Sequence, residues 1–311
     1  MGRYLVTGGC GFIGSHLVES LERDGHEIRV LDDLSTGKRE NIAPSVELLI
    51  GDVADASLVR RAMAGVDGCF HLAAIASVER SNLDWLGTHA VNLTGAIAVF
   101  DAARRPGIPG IPVVYASSAA VFGDEPTMPL TEQAPVRPLS AYGADKLGCE
   151  LHARVAGMVH GVPTAGMRFF NVYGPRQDPK SPYSGVISIF CDRLGAHRPI
   201  TIFGDGLQTR DFVYVADVVA SLRAAMAGLT TVKTSIYNVC TGRSTSVVDL
   251  AQIIAGLCGI AADITFAPPR AAEIRTSLGS PARLKAELGI ECRTDIADGL
   301  RATLASLNYL I

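Results

Sequence analysis

The chain has 311 residues, of which 48% are hydrophobic and 19% charged, a balance typical of globular proteins that argues against general disorder. Its formal net charge of −3 lacks the basic excess that nucleic-acid binding needs, so no nucleic-acid partner is expected. Seven irregularly spaced cysteines favour a reducing compartment, the cytoplasm, and the sequence shows neither a signal-peptide pattern nor 18 consecutive apolar residues that would predict a membrane span.

Short apolar runs alternate with amphipathic stretches over the first 170 residues. Asp55 is placed to cap one predicted helix at its N-terminus, and Gly161 to end another. Because strand–helix alternation builds parallel sheets with helices on both faces, the predicted fold class is α/β, a doubly wound parallel sheet. The predicted strands are 4–6, 28–31, 46–50, 69–72, 113–116 and 164–169, and the predicted helices are 15–24, 56–63, 84–104 and 140–160.

The alternation breaks after residue 170. A segment rich in Gly, Pro and Asn follows over 171–183, and the later elements are shorter. We therefore expect a first domain over 1–170 and a smaller α/β lobe over 171–311, with some later elements crossing back to the first domain. Helices of the lobe are predicted near 185–196, 215–227, 247–257 and 296–307.

Glycine-rich sequence joins the first predicted strand to the first predicted helix. Gly8, Gly11 and Gly14 have the spacing G-x-x-G-x-x-G. Glycines at such a turn let backbone N–H groups approach a pyrophosphate, and the helix N-terminus presents partial positive charge to the anion. The motif alone also fits a plain strand–helix turn, so its meaning depends on the residues at the next strand ends.

Acidic residues stand at the ends of the next two strands. Asp32 is placed to accept hydrogen bonds from both ribose hydroxyls of a dinucleotide, although a simple turn residue is the alternative. The nearby cations Lys38 and Arg39 could accommodate the 2′-phosphate of NADP, but Asp32 and Asp33 would repel that phosphate, so NAD is favoured over NADP. Asp52, at the end of the third strand, can reach the adenine amino group.

A possible catalytic set lies at the fifth strand and the helix over 140–160. Tyr142 and Lys146 are four residues apart and so share one helix face, a spacing that is also common by chance. Ser118 ends the fifth strand, where parallel sheets place ligand chemistry. A free tyrosine phenol is a poor base at pH 7, but a nearby ammonium and an oxidised nicotinamide would stabilise its phenolate. Tyr142 could then take a hydroxyl proton while carbon releases hydride, with Ser118 holding the oxygen.

Together these motifs resemble the extended short-chain dehydrogenase/reductase family, and within it the UDP-glucose (UDP-galactose) 4-epimerase family. The resemblance covers nearly the whole chain and implies a Rossmann-type NAD-binding domain followed by a nucleotide-sugar lobe. It also implies that a homodimer forms through the helices over 84–104 and 140–160. The segments that carry it are 7–14, 32–35, 51–53, 71–74, 117–123, 142–146, 168–176 and 204–215.

The resemblance assigns roles residue by residue. Ser118, Tyr142 and Lys146 match the catalytic groups, and Ser118 and Tyr142 also contact the sugar. Groups that hold the UDP part are matched by Asn171, Arg210, Arg270 and Glu273. Cofactor contacts, besides Tyr142 and Lys146, are matched by Gly8, Gly11, Phe12, Ile13, Gly14, Asp32, Asp33, Lys38, Asp52, Val53, Leu72, Ala73, Ala74, Asn92 and Phe169.

Three further residues indicate which reaction of this family, and which sugars, to expect. Dehydratases and decarboxylases of the family carry acids directly after the serine, whereas Ala119 and Ala120 stand here and cannot transfer a proton. This favours epimerisation through a transient 4-keto sugar. Ser277, four residues after Glu273, is small where a tyrosine restricts relatives to glucose and galactose, so UDP-GlcNAc and UDP-GalNAc are also expected as substrates, unless other groups fill the space.

Two alternatives stay open. One is a UDP-uronate 4-epimerase, which would need a cationic or polar partner for the 6-carboxylate of its sugar, and the sequence identifies none; another nucleotide-sugar oxidoreductase of the family belongs to the same alternative. A non-enzymatic dinucleotide sensor is disfavoured because it has no need of Ser118, Tyr142 and Lys146 together. The seven histidines show no metal-ligand spacing, so no metal is expected, and His71 is expected to pack or hydrogen-bond at the end of its strand.

Overall fold

A parallel β-sheet of seven strands forms the centre of the computed structural model, which describes residues 1–179, 185–229, 233–269 and 274–310. The described strands are β1 (Arg3–Thr7), β2 (Glu27–Asp32), β3 (Glu47–Ile50), β4 (Gly68–His71), β5 (Val113–Ser118), β6 (Thr164–Phe169), β7 (Asn171–Tyr173), β8 (Ile200–Phe203), β9 (Thr209–Arg210), β10 (Phe212–Tyr214), β11 (Thr234–Val239), β12 (Thr245–Ser246), β13 (Ile264–Ala267) and β14 (Thr276–Ser277). The spatial order of the central sheet is β11-β6-β5-β4-β1-β2-β3, which confirms the predicted doubly wound α/β class.

Helices cover both faces of the sheet and build the C-terminal part of the chain. No helix within the described ranges is both long and apolar enough to span a membrane. The described helices are α1 (Phe12–Arg23), α2 (Ala56–Met63), α3 (Val78–Leu83), α4 (Trp85–His89), α5 (Gly95–Ala102), α6 (Ala141–His160), α7 (Val186–Gly195), α8 (Val215–Gly228), α9 (Val247–Leu257), α10 (Ala282–Leu288) and α11 (Ile296–Ser306).

The strand order reverses beside β1. The chain runs from β1 outward to β2 and β3, then returns to place β4 on the other side of β1. At such a reversal the loops that follow the two neighbouring strands diverge to opposite faces and leave a crevice at the carboxyl end of the sheet. The fold therefore provides a binding crevice above Thr7 and His71.

Local capping chemistry sets the ends of two predicted helices. The Asp55 side chain accepts hydrogen bonds from the backbone N–H of Ser57 and Leu58, so α2 begins where predicted. Ser140 caps α6 by accepting from Gly143, and Gly161 ends this helix with a left-handed φ of 66°. Both predictions are confirmed.

The prediction of a single helix over 84–104 is wrong, because the structure divides this range into two helices joined by a π-helical turn. A separate helix, α3, precedes this range, and Asp84 ends α3 and caps α4 by accepting from the N–H of Gly87 at 3.1 Å. A π-helical turn, Ala90–Thr94, then separates α4 from α5. Such a turn widens the helix by one residue, which a search for 3.6-residue periodicity does not detect.

Later elements do cross back to the sheet. Strand β11 pairs with β6 along its whole length, and α8 packs its apolar face in the same core as α1. A separate core lies among α7, α9, α11 and strand β8. The division of the chain at residue 170 stays a prediction.

Candidate active site

One cavity of about 670 Å³ opens at the carboxyl ends of β1, β2, β4, β5 and β6. Most of the predicted site residues line it. Lys38, Asn92, Arg210 and Ser277 are described but lie outside its lining, and Arg270 and Glu273 fall outside the described residues. The predicted residues that line the cavity are Gly8, Gly11, Phe12, Ile13, Gly14, Asp32, Asp33, Asp52, Val53, Leu72, Ala73, Ala74, Ser118, Tyr142, Lys146, Phe169 and Asn171.

The glycine loop is packed too tightly for side chains. Gly8 has a φ of 70°, and a Cβ there would lie 2.7 Å from the backbone nitrogen of Ala73. A Cβ on Gly14 would overlap the carbonyl oxygen of Gly8. Glycine, which has no Cβ, is therefore required at both positions for the backbone to curve back on itself at the start of α1. We call this curved segment the glycine cradle; its shape and its backbone N–H groups fit a dinucleotide pyrophosphate.

Asp32 joins the glycine loop to the segment after β2. One carboxylate oxygen accepts from the N–H of Cys10 at 2.9 Å, and the other accepts from the N–H of Leu34 at 2.9 Å. Burial raises the pKa of the Asp32 carboxyl above its usual range. Gly37 lets this segment close on the carboxylate, since a Cβ there would lie 3.0 Å from it. Residues 35–37 also line the cavity. They were assigned no role from the sequence, although residue 35 belongs to the segment 32–35 that carries the family resemblance.

Asn92 does not line the cavity but hydrogen-bonds to a residue that does. Its side chain accepts from the N–H of Ile75 at 2.8 Å and donates to the carbonyl oxygen of Ile75 at 3.2 Å. The π-helical turn places this buried amide against the segment after β4, which lines the cavity from Leu72 to Ala76. Asn92 therefore fixes the shape of that wall.

Lys38 makes its contact away from the cavity lining. Its ammonium lies 3.8 Å from the carboxylate of Asp178, in the segment after β7. Gln177, the residue before Asp178, does line the cavity and was not predicted. The ion pair thus connects the loop after β2 to the segment after β7.

Ser118, Tyr142 and Lys146 all line this cavity. Lys146 is 3% exposed, and its ammonium donates to the carbonyl oxygen of Ala116 at 2.9 Å. The same nitrogen lies 5.8 Å from the centroid of the Tyr142 ring. Ser81, which no sequence motif indicated, accepts from the backbone N–H of Tyr142 at 3.1 Å and so fixes the first turn of α6.

His71 is a neutral group beneath the cavity. Burial, with a smaller contribution from the charge of Lys146, lowers the pKa of His71 to about 3. Its Nδ1 lies 2.8 Å from the Thr7 hydroxyl, which also accepts from the N–H of Ala73 at 3.2 Å. The prediction that His71 hydrogen-bonds at the end of its strand is confirmed.

Arg210 and Ser277 lie on neighbouring strands. They are direct partners in the parallel pairing of β9 with β14. The fully buried carboxylate of Asp211 stabilises this corner, because it accepts from the N–H of Thr241, Gly242 and Gly279 and from the Thr241 hydroxyl. Asp211 stands inside the segment 204–215, but the resemblance assigned it no role.

Comparison with known proteins identifies the family of the chain. The model of the NAD dependent epimerase/dehydratase family matches residues 4–240. A UDP-glucose 4-epimerase of Mycolicibacterium smegmatis is 38% identical over 308 residues, 97% of each chain.

Solved structures agree with this match. UDP-glucose 4-epimerase of Thermus thermophilus, in complex with NAD, is 36% identical with a TM-score of 0.88 and covers 98% of this chain and 99% of its own. UDP-N-acetylglucosamine 4-epimerase of Methanobrevibacter ruminantium, in complex with UDP-N-acetylmuramic acid, is 32% identical with a TM-score of 0.93 over 99% and 98% of the two chains. The likeness extends beyond the sheet to the C-terminal part of the chain.

Proposed function

The chain belongs to the NAD dependent epimerase/dehydratase family, and we propose that it interconverts UDP-glucose and UDP-galactose, and also UDP-GlcNAc and UDP-GalNAc, by inverting carbon 4 of the sugar. The observation that carries the proposal is that Ser118, Tyr142 and Lys146 line the same cavity as the glycine cradle. The cytoplasm is the proposed compartment.

The side chains suggest how the first half of the reaction runs. NAD, which the glycine cradle and Asp32 would hold, would accept a hydride from carbon 4 and give it back. Tyr142, as phenolate, takes the proton of the 4-hydroxyl while the hydride leaves carbon 4, so that the C–O bond becomes a carbonyl. The buried ammonium of Lys146 stabilises the negative charge on Tyr142, and the Ser118 hydroxyl donates to the reacting oxygen.

The second half uses the same groups in reverse. The 4-keto sugar turns about its diphosphate link, hydride returns to the opposite face, and Tyr142 gives its proton back to the oxygen. The cycle balances, because the proton and the hydride that leave the sugar in the first half both return to it in the second. Ala119 and Ala120 follow Ser118 without a carboxylate, so no acid stands there to eliminate water from the intermediate.

The range of sugars depends on the space beside Ser277. Ser277 is the strand partner of Arg210, and we propose that its small side chain leaves room for an N-acetyl group that a larger side chain would exclude. Arg210 and Asn171, with Arg270 and Glu273, are proposed to hold the UDP part, since guanidinium groups suit diphosphate oxygens. We assign residues 171–311 to the nucleotide sugar.

A substrate panel tests this proposal. The purified protein is incubated separately with UDP-galactose, UDP-GalNAc and UDP-glucuronate, and the anomeric proton signals are followed by NMR. We expect conversion of the first two sugars and no conversion of the uronate. Turnover of UDP-galactose without UDP-GalNAc would reject the broad specificity, turnover of the uronate alone would favour the UDP-uronate alternative, and bound NAD without turnover of any sugar would favour the sensor alternative.

We also propose that the protein is a homodimer. Large apolar side chains are exposed along α4 and α6, among them Leu86 at 81% and Met158 at 74%. A second copy packing helix against helix would cover them. Light scattering should give a dimer for the wild type and a monomer for Met158→Glu. Leu207→Glu, at an exposed apolar residue elsewhere, should stay dimeric, and a wild type that is monomeric would contradict the proposal.

A further inference from the structure

A buried ion pair lies behind the carboxyl end of β5. Glu150 and Arg168 have side chains that are each 4% exposed. Arg168 donates to both carboxylate oxygens of Glu150, from Nε and from Nη2, at 2.8 Å each. The Ser117 hydroxyl donates to the same carboxylate at 2.6 Å. One carboxylate on α6 therefore holds β5 and β6 together, one residue before Ser118.

Glu150 continues the face of α6 that carries the proposed catalytic groups. Tyr142, Lys146 and Glu150 are spaced four residues apart, so they lie along one side of the helix. Lys146 binds the carbonyl oxygen of Ala116, and Glu150 binds the side chain of Ser117. Two successive turns of the helix thus hold two successive residues of the strand, and Ser118 comes next.

Arg168 holds the surroundings of Ser118 from the other side. In the pairing of β5 with β6, Arg168 lies opposite Ser117, and Phe169, which lines the cavity, lies opposite Ser118. The guanidinium lies 4.7 Å from the ring centroid of Phe122, in the turn after Ser118. Ser117, directly before Ser118, and Phe122, four residues after it, therefore both contact this ion pair.

We propose that Glu150 is a positioning residue, which together with Arg168 and Ser117 sets the distance between the Ser118 hydroxyl and Tyr142. A buried ion pair is in general a poor source of net stability, because desolvation offsets much of the attraction. A misplacement of about 1 Å in an active site, in contrast, can lower the rate about 100-fold. The role in catalysis rests on the proposed function; the role in geometry does not.

The Ser117 hydroxyl offers the mildest test. Ser117→Ala removes one bond to Glu150 and leaves the ion pair intact, so the protein should fold. We expect kcat for UDP-galactose to fall about tenfold, with KM and bound NAD close to those of the wild type and a melting temperature lower by a few degrees, because a buried hydrogen bond to a carboxylate is lost. Ser117→Thr, which keeps a hydroxyl, should restore kcat to within about threefold of the wild-type value.

Glu150→Gln should lower kcat further, by about 100-fold, because the glutamine amide accepts fewer hydrogen bonds and leaves Arg168 without a counter-charge.

Ser221→Ala is the matched control. Ser221 is another fully buried serine, whose hydroxyl donates to the carbonyl oxygen of Asp217 within α8, and this change should leave kcat unaltered. An unaltered kcat in Ser117→Ala, no rescue by Ser117→Thr, or an equal fall in Ser221→Ala would each overturn the inference.

Crystal structures separate this inference from the proposed function. The distance between the Ser118 and Tyr142 hydroxyl oxygens should change between the wild type and Ser117→Ala, and it can be measured whether or not the enzyme turns over. An unchanged distance would reject the positioning role. A wild type inactive on every UDP-sugar would reject the proposed function and leave this geometric test intact.

Discussion

Lys146 donates a hydrogen bond of 2.9 Å from its ammonium to the carbonyl oxygen of Ala116, two residues before Ser118. A buried ammonium needs an acceptor, and this carbonyl provides one without neutralising the charge. The positive charge is consequently held at one place beside the Tyr142 ring, where a phenolate benefits from it. The contact ties the electrostatics of the proposed reaction to the geometry of β5.

Tyr142→Phe should abolish turnover while leaving the cofactor bound. Removing the phenol removes the group that takes and returns the proton, so kcat should fall by about a thousandfold or more. UDP-galactose conversion measures the loss, and NAD released on denaturation measures cofactor content. Tyr237→Phe removes a different phenol, bound to Glu287, and should leave kcat unchanged. Undiminished turnover in Tyr142→Phe would contradict the assignment.

Gly14→Ala should prevent cofactor binding. The new Cβ would overlap the Gly8 carbonyl oxygen, so the glycine cradle must open or the helix must move. Calorimetry should find no NAD binding, and the melting temperature should fall. Gly256→Ala is the control, because its Cβ meets nothing within 4 Å in helix α9, and it should stabilise the fold by about 0.5–1 kcal/mol. Tight NAD binding by Gly14→Ala would argue against the cradle.

His71 should make the fold sensitive to acid. Its folded-state pKa of about 3 lies below the value near 6.5 expected in the unfolded chain, so the unfolded state takes up the proton first as pH falls. The free energy of unfolding should therefore decline from about pH 6.5 towards pH 3, with a loss from this residue of about 2–3 kcal/mol by pH 4.5.

Denaturant titrations at several pH values check this dependence. His71→Asn cannot take up that proton, so its unfolding free energy should fall less steeply over the same interval. His152→Asn, a change at an exposed position, should keep the wild-type slope. Equal slopes in the wild type and His71→Asn would show that the buried imidazole does not contribute.

Ser277→Tyr should narrow the range of sugars. A large ring beside Arg210 would fill the space proposed for the N-acetyl group, so kcat/KM for UDP-GalNAc should fall at least about tenfold more than for UDP-galactose. Thr276→Tyr adds the same ring at the exposed neighbouring position and should leave kcat/KM unchanged for both UDP-GalNAc and UDP-galactose. Parallel losses on both sugars in Ser277→Tyr would mean that the residue does not select between them.

Local chemistry explains which parts of the fold could be predicted. Asp55 and Gly161 act within one helical turn of their own positions, so their sequence context was enough to place the ends of α2 and α6. The strand ends with Asp32 and Ser118 were predictable for a similar reason, since short apolar runs end at polar residues.

Contacts between distant residues could not be predicted. Ser117 and Glu150 are separated by 33 positions, and neither stands in a spacing that indicates the other. The π-helical turn that aims Asn92 at Ile75 leaves no periodic signal, so the contact of its amide with the cavity wall could not be foreseen. Arg270 and Glu273 rest on family resemblance alone, and their roles stay predictions.

Strand β11 is synthesised well after its partner β6, and this order has a consequence for the nascent chain. Until residues 234–239 leave the ribosome, β6 is an unpaired edge strand with open N–H and C=O groups. A nascent or truncated chain that ends before this point exposes a template on which another strand can add. Cofactor-binding fragments cut at residue 170 should thus aggregate, and a dinucleotide-binding half produced on its own would have to carry the β11 segment with it.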